Sequence, residues 1–193
     1  KAAGRFAPTV AATQQGTAEE DALAEGLRIY NLFPTLVGSV DAWSKHLDRI
    51  AGMGFNWIFL NPIHQPGGSG SLYAVKDYYA LNPLFQGKSK KSADKLLSGF
   101  LKAAEKRGIG VMMDLVVNHT GNDSVLADQH PQWYVREPDG SLAAPFALDP
   151  GDPSKKTVWG DLAEIDYSER PKRQEIIDYF AELVRHSIEQ GFR

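Results

Sequence analysis

Apolar residues along the chain form short unbroken runs and, between them, stripes at helical spacing. The runs cover residues 28–33, 55–60 and 108–113, and a proline or a glycine punctuates each of them. Runs of this length predict strands covered on both faces, as in a parallel sheet. A stripe that begins after Ser39 and another at residues 93–104 separate the runs. This alternation of strands and helices predicts an α/β fold with right-handed crossovers.

The remaining segments are longer and less regular. A loop over residues 63–91 contains a glycine-rich stretch, and a loop of this length indicates a functional or disordered segment. Residues 120–168 are rich in proline and turn signals, which predicts an irregular insertion after the third strand. A third helical stripe begins near Pro171, and Gly191-Phe192-Arg193 predicts the start of a fourth strand.

Polar residues follow the third apolar run at the point where its strand should end. Asp114 closes the run, and Asn118 and His119 follow within a few positions. A buried carboxylate without a partner is costly, so we expect Asp114 to be paired. Because α/β folds place their chemistry at the carboxyl ends of parallel strands, we also expect a functional site here.

Composition and charge narrow the classes of function. The chain has 193 residues, of which 42% are hydrophobic and 23% are charged, as in an ordinary globular protein. Its net charge of −3 gives no reason to expect a nucleic acid or a membrane as partner. No apolar run approaches the roughly 18 residues that a membrane-spanning helix needs. The absence of cysteine excludes disulfides and thiolate metal sites.

The amino-terminal region carries little apolar periodicity. Residues 1–26 predict a poorly ordered lead-in, with one short helix at residues 18–25. The sequence begins at Lys1 without the apolar core of a signal peptide, which slightly favours a cytoplasmic location. A start other than methionine also suggests a processed product or a piece of a longer chain.

Several stretches resemble, in order and spacing, the motifs of the α-amylase family of glycoside hydrolases (family 13). The strand Asp114-Leu115-Val116-Val117-Asn118-His119 is similar to that family's first short motif, and the resemblance extends over residues 28–193. The other similar stretches are the first and second barrel strands at residues 28–33 and 54–62, the tyrosine-bearing loop at 72–83, the end of the inserted B domain at 161–167, and the start of the strand-four motif at 191–193.

The resemblance implies an α/β fold that is a partial TIM (β/α)8 barrel. The chain would contain strands 1–3 and the start of strand 4, with an irregular B-domain insertion after strand 3. The implied boundaries are residues 27–119 for the first part of the barrel, 120–168 for the B domain, and 169–193 for the third barrel helix and the start of the fourth strand.

The resemblance also implies an enzyme that hydrolyses or transfers α-1,4-linked glucosyl units by a retaining mechanism with two carboxyl groups. In this family the nucleophile lies two residues beyond the arginine of the strand-four motif, so the catalytic carboxylates are expected beyond Arg193, and the chain alone should be inactive. The run at residues 130–134 resembles a stretch of trehalose synthases and of maltosyltransferase-associated amylase domains, so transfer of glucosyl units remains an alternative to hydrolysis. A non-catalytic carbohydrate-binding or chaperone-like relative of the same barrel is the alternative, and an unrelated α/β domain is a third.

The same resemblance assigns roles to five residues. Asp114 and Arg193 would pair with each other and support the missing nucleophile. Tyr73 would stack on a glucose ring, and His119 would hydrogen-bond sugar hydroxyls. His64, at the end of the second strand, would face the same substrate. The structural alternatives are a buried acid, a locally packed tyrosine and a histidine that caps a strand.

Other expectations concern bound groups and partners. Asn118 would ligate a structural calcium through its side-chain oxygen. Trp133 and Trp159 would either line a glucan groove or form the core of the insertion. The partner is an α-glucan or a maltooligosaccharide. The rest of the barrel or a second copy is expected to cover the open sheet edges.

Overall fold

The computed structural model of the protein describes residues 26–193. The poorly ordered segment predicted at residues 1–26 therefore lies outside the described residues, except for Gly26, and so does its predicted short helix at 18–25. In chain order the elements are β1 (Ile29–Leu32), α1 (Pro34–Val37), α2 (Val40–Ser44), α3 (Leu47–Gly52), β2 (Trp57–Leu60), β3 (His64–Pro66), β4 (Val75–Leu81), α4 (Pro83–Gln86), α5 (Ala93–Glu105), β5 (Gly110–Met113), β6 (His119–Gly121), α6 (Val125–Gln129), a 3-10 turn (Pro131–Trp133), β7 (Phe146–Asp149), β8 (Asp152–Val158), β9 (Leu162–Glu164) and α7 (Arg170–Gln190).

A parallel sheet holds the three predicted strands. Within the described residues its order is β1–β2–β5, and Ile29 lies beside Trp57, which lies beside Gly110. Beyond β5, the backbone N–H of Arg193 donates to the carbonyl of Val111 at 2.9 Å. The α/β class and the parallel strand order predicted from the apolar runs are therefore correct.

Helices cover one face of this sheet. Trp43 of α2 is fully buried there and makes edge-to-face contacts with Phe85 and Phe100, at centroid distances of 5.3 and 5.6 Å. Such aromatic pairs contribute about 0.5–1.5 kcal/mol each beyond the burial of their surface. The strand side chains of this core are Leu32, Ile58, Leu60 and Val111, with Met113 partly buried beside them.

The helix predicted after Ser39 is interrupted. The structure contains α2 and α3, separated by a turn at Lys45 and His46, although the apolar stripe continues into Leu47 and Ile50, which are both fully buried. The apolar stripe shows which side chains face the core. The turn between the two helices interrupts the helix but does not change which side chains are buried. The second predicted helix is α5, and the side chain of Ser92 caps it by accepting from the Lys95 N–H at 3.4 Å.

The opposite face of the sheet keeps apolar surface in contact with solvent. Ile29 is 44% exposed, and Phe59 and Met112 are only partly buried. The Trp57 ring lies against Gly110, where an added Cβ would come within 2.9 Å of the indole. Glycine at position 110 therefore makes room for the tryptophan on this face, which we call the open face.

The segment after β2 is ordered, in contrast to the loop predicted over residues 63–91. The strands β3 and β4 pair antiparallel, and α4 follows, with Pro83 in its first turn. The side chain of Asn82 caps α4 by accepting from the Leu84 N–H at 2.9 Å. The hairpin carries an inner loop at residues 67–74, which includes Tyr73.

The predicted insertion contains short antiparallel pairs, β6 with β9 and β7 with β8. A second core joins this region to α7, the third predicted helix. Its buried members are Val75, Tyr78, Val116, Leu126, Ala127, Trp133, Tyr134, Ala163, Ile165, Ile176, Phe180 and Leu183. None of the helices in residues 26–193 has the length and apolar character that a membrane crossing requires.

Candidate functional site

A chain of hydrogen bonds links the carboxyl ends of β1, β2 and β5. Asn31 donates from Nδ2 to Oδ1 of Asn61 at 3.0 Å, and Asn61 donates to the Tyr73 hydroxyl at 3.1 Å. Tyr73 in turn donates to Oδ2 of Asp114 at 3.0 Å. Side chains from three strands therefore meet at this end of the sheet, where the Asp114 carboxylate accepts from a tyrosine hydroxyl.

Sequence reasoning did not assign a role to Asn31 or to Asn61 in this site. Asn31 lies within β1 and Asn61 directly follows β2, and both side chains are exposed enough to bond at the sheet edge. An amide inside or directly after an apolar strand is the signal that could have found them, because such residues are costly where both faces are apolar.

The Tyr73 segment differs from the usual family motif in a way that the packing explains. Leu72 and Ala74 stand where the family usually has glycine and aspartate, and both are buried. Tyr73 between them is 39% exposed. The two apolar neighbours fix the backbone, so the ring stands at the surface with its hydroxyl on Asp114.

His119 opens β6 and lies opposite Glu164 of β9. Its Nε2 atom is buried and has no hydrogen-bond partner among the described residues. Burial lowers the pKa of His119, against the opposing effects of a hydrogen bond with the Tyr73 backbone and the charge of Asp161. The ring is therefore favoured in its neutral form.

The predicted substrate contact of His64 stays a prediction, and the structure shows this side chain buried. This side chain is only 7% exposed and packs edge-to-face on Tyr78 at a centroid distance of 5.4 Å. It lines a small cavity with Leu97, Met113 and Phe192, on the helix-covered side of the sheet. Burial lowers its pKa to about 4. His64 is thus a buried residue favoured in its neutral form, and its Nε2, like that of His119, has no hydrogen-bond partner among the described residues.

The resemblance pairs Arg193 with Asp114, and in the structure the Arg193 side chain contacts Glu105. The guanidinium of Arg193 donates to Glu105 at 2.9 Å, and Arg193 lines a cavity with Gly108 and Gly110. These residues lie at the amino-terminal end of β5, whereas Asp114 follows its carboxyl end. The backbone N–H of Arg193 bonds at the level of Val111, and the pairing of Arg193 with Asp114 stays a prediction.

A broad groove of about 830 Å³ lies beside the site. It is lined by Asn118, Val135, Pro145, Phe146, Glu164, Ile165, Asp166, Tyr167 and Ser168. The two tryptophans predicted either to line a glucan groove or to form a core differ in burial. Trp133 is 4% exposed and donates from Nε1 to Glu175 at 3.0 Å, so it belongs to the core, whereas Trp159 is 44% exposed.

Asn118, the predicted calcium ligand, lines this groove. Calcium requires six to eight oxygen ligands. Residues 26–193 contain no cluster of three or more histidine or acidic side chains arranged for a metal ion. Asp166, on the same groove, is bound to Lys172, which together with Ser168 holds the pKa of that carboxyl at about 2. Because asparagine and backbone carbonyl oxygens also ligate calcium, its binding at Asn118 stays a prediction.

The sequence of the chain was compared with those of known families. Residues 21–150 match the sequence model of the family described as "Glycogen debranching enzyme, glucanotransferase domain", which is more than half of the chain. The chain belongs to this family. The glucanotransferase domain is of the glycoside hydrolase family 13 type, so the predicted membership of the α-amylase family is confirmed.

Individual relatives agree with the family. The alpha-1,4-glucan:maltose-1-phosphate maltosyltransferase of Picrophilus torridus is 28% identical over 133 residues, which cover 58% of this chain and 20% of the relative. The glucan 1,6-alpha-glucosidase of Streptococcus dysgalactiae subsp. equisimilis is 31% identical over 115 residues, 55% of this chain and 19% of the relative. The glucanotransferase-family chain thus spans about a fifth of the length of these relatives.

A solved structure gives the same result for the fold. The noncanonic maltogenic alpha-amylase AmyB from Thermotoga neapolitana has a TM-score of 0.67 and 28% identity, over 85% of this chain and 36% of that chain. The glucanotransferase-family chain therefore has an α/β fold that resembles the amylase (β/α)8 barrel region.

Proposed function

We propose that the full-length protein hydrolyses or transfers α-linked glucosyl units, and that this chain holds substrate-positioning residues of its active site. The observation that carries the proposal is the meeting of Tyr73, Asp114 and His119 at one edge of the parallel sheet. The tyrosine offers an exposed aromatic ring, and the histidine offers a buried nitrogen that still lacks a partner among the described residues. An aromatic face and a hydrogen-bonding nitrogen suit the two sides of a sugar ring.

The barrel is the finer part of the proposal. Residues 27–119 would supply strands 1–3, residues 120–168 an inserted B domain, and residues 169–193 the third barrel helix and the start of strand 4. The parallel order β1–β2–β5 supports this arrangement, as does the hydrogen bond from Arg193 to Val111 at the outer edge of β5. The share of each relative that the chain spans supports a larger whole.

The open face needs a cover under the same proposal. Partly exposed Ile29, Phe59 and Met112 would line the barrel interior, where remaining strands would bury them. Each square ångström of apolar surface removed from water is worth about 25 cal/mol, so leaving such a face uncovered is unfavourable. The rest of the polypeptide is the cover that the family implies, and a second copy of the chain is the other candidate.

The chemistry would then be divided between this chain and residues beyond it. A retaining glycosidase needs a carboxylate nucleophile and a carboxylic acid that protonates the leaving oxygen. Asp114 is bound to Tyr73 and serves here as the anchor of that ring. The two reacting carboxyl groups would follow Arg193. His119 would bind hydroxyl groups of the glucosyl unit under attack.

The groove supports an extended substrate. Its volume of about 830 Å³ and its exposed lining residue Phe146 suit a chain of several sugars that continues beyond the reacting unit. We propose α-1,4-linked glucan or maltooligosaccharide as the substrate. The relatives include both a transferase and a glucosidase, so transfer and hydrolysis have to be distinguished by identifying the products of the reaction.

The experiment is product analysis with maltoheptaose and the full-length protein. Shorter sugars alone indicate hydrolysis, and longer sugars indicate transfer; both support the proposal. Binding of maltoheptaose without turnover would contradict it and favour the non-catalytic carbohydrate-binding relative. The variant Tyr73→Ala should weaken binding, whereas Tyr79→Phe, an exposed tyrosine of β4 outside the site, should leave it unchanged.

A further inference from the structure

We propose that Asp123 is a positioning residue that fastens the glycine loop, residues 67–71, to the segment that bears His119. The Oδ2 atom of Asp123 accepts from the backbone N–H of Gly68 at 3.1 Å and lies 3.4 Å from Nζ of Lys76. The inference rests on the proposed function for its consequence at the substrate, whereas the attachment itself is independent of that function.

The glycines explain why the contact is so close. An added Cβ at Gly67 would lie 2.1 Å from Oδ1 of Asp123, and one at Gly121 would lie 3.0 Å from the same oxygen. The Gly121 position would also come within 3.1 Å of the Ala74 carbonyl. Neither glycine has a positive φ angle. The carboxylate, although partly exposed, therefore lies against two backbone segments that can approach it this closely only because they lack side chains at Gly67 and Gly121.

The glycine loop transmits this attachment to Tyr73. The Gly67 N–H donates to the Ala74 carbonyl at 2.8 Å, and the Ala74 N–H donates to the Ser71 carbonyl at 3.1 Å. The Tyr73 N–H donates to Oγ of Ser71 at 3.3 Å. These bonds close the loop around the residue that carries the aromatic ring.

The other end of the attachment is fixed to the insertion. Ser124 directly follows Asp123 in the chain, is buried, and donates from Oγ to the carbonyl of Lys76 at 3.0 Å. His119 lies four positions before Asp123, at the start of β6. One short segment therefore holds His119 and also grips the loop of Tyr73, which sets the spacing between the two groups that would contact the sugar.

The ion pair with Lys76 is too exposed to account for this role. Both side chains are more than a third exposed, and surface pairs of this kind contribute between zero and about 1 kcal/mol. The bond to Gly68 and the close approach of Gly67 carry the inference. Lys76→Met should accordingly have less effect than Asp123→Ala.

The test measures amide hydrogen exchange over residues 67–74 in the full-length protein. Asp123→Ala should accelerate exchange there about tenfold, Asp123→Asn should do so less because its Oδ1 still accepts a bond, and Gly67→Ala should resemble Asp123→Ala. Asp128→Asn, an exposed acid of α6, is the matched control and should change nothing in this segment.

A double variant makes the inference sharper. If Gly67 is required only because it faces Asp123, Gly67→Ala should add little to Asp123→Ala, since the clashing oxygen is gone. With maltoheptaose, Asp123→Ala should raise KM severalfold and change kcat less. Unchanged exchange at residues 67–74, or fully additive effects of the two substitutions, would overturn the role of Asp123. Because exchange needs no substrate, a protein without activity on glucans would refute the proposed function and leave this test in force.

Discussion

The hydroxyl of Tyr73 donates to the Asp114 carboxylate at 3.0 Å, although 41 positions separate the two residues in the chain. This bond joins the loop between β3 and β4 to the end of β5. Asn61 bonds the same hydroxyl from the end of β2. Asp114 therefore acts as a fixed acceptor that orients an aromatic ring, and the site depends on all three strand ends.

Removing the Tyr73 hydroxyl should separate the ring from its anchor. Tyr73→Phe keeps the aromatic face but loses the bonds to Asp114 and Asn61, so we expect KM for maltoheptaose to rise about three- to tenfold, with a smaller change in kcat. One hydrogen bond to a charged group is worth roughly 1.5–3 kcal/mol, and part of this is regained from water at an exposed site. Steady-state kinetics of the full-length protein provides the measurement.

Two further variants control this result. Tyr73→Ala removes the ring as well and should raise KM more than Tyr73→Phe does. Tyr79→Phe alters an exposed tyrosine outside the site and should have no effect. Equal kinetics for Tyr73→Phe and the unmodified protein would mean that the bond to Asp114 has no part in substrate binding.

The buried His64 should make the free energy of unfolding depend on pH. Its pKa falls from 6.5 to about 4 on folding because burial disfavours the charged ring. The unfolded chain therefore binds a proton more readily, so this contribution to stability is present above pH 6.5 and is lost as the pH falls to about 4. One pKa unit is worth about 1.4 kcal/mol, which puts the loss at about 3 kcal/mol.

The measurement is the free energy of unfolding of the full-length protein between pH 4 and 7. His64→Gln should reduce the dependence between pH 6.5 and 4 without abolishing it, since burial also lowers the pKa of His119. His46→Gln, at a partly exposed position, should retain the slope. An identical slope in His64→Gln and the unmodified protein would show that His64 is not the neutral buried residue described above.

The two tryptophans of the insertion should respond differently to substitution. Trp133 is buried and bonded to Glu175, so Trp133→Ala should cost about 3–5 kcal/mol of stability. Trp133→Phe keeps most of the packing and should cost less. Trp159 is exposed, so Trp159→Ala should change stability by less than about 0.5 kcal/mol. Denaturant titration checks each value, and a large loss for Trp159→Ala would contradict the assignment.

Much of the fold was predictable from the sequence. The runs at residues 28–33, 55–60 and 108–113 became parallel strands, and the stripe at residues 93–104 became α5. These strands and this helix were predicted correctly because burial on one or two faces produces a regular pattern of apolar residues in the sequence. The bond between Tyr73 and Asp114 was not predicted, since no local pattern relates residues so far apart.

The direction of individual side chains was harder to predict. His64 follows an apolar strand as Asn61 does, yet His64 faces the helices whereas Asn61 faces the site. A shift of one residue moves a strand side chain to the opposite face, and periodicity fails where a strand ends. The Asp123 contact depends on the absence of two side chains, at Gly67 and Gly121, which no periodic pattern reports.

The central claim is that these residues position an α-glucan for carboxyl groups that lie outside them. The most direct measurement is the time course of product formation when maltoheptaose is incubated with the full-length protein and, in parallel, with residues 1–193 alone. The account predicts α-configured products from the full-length protein, with loss of affinity in Tyr73→Ala, and no turnover by residues 1–193. Turnover by residues 1–193 alone, or a full-length protein that neither cleaves nor transfers glucosyl units, would contradict it.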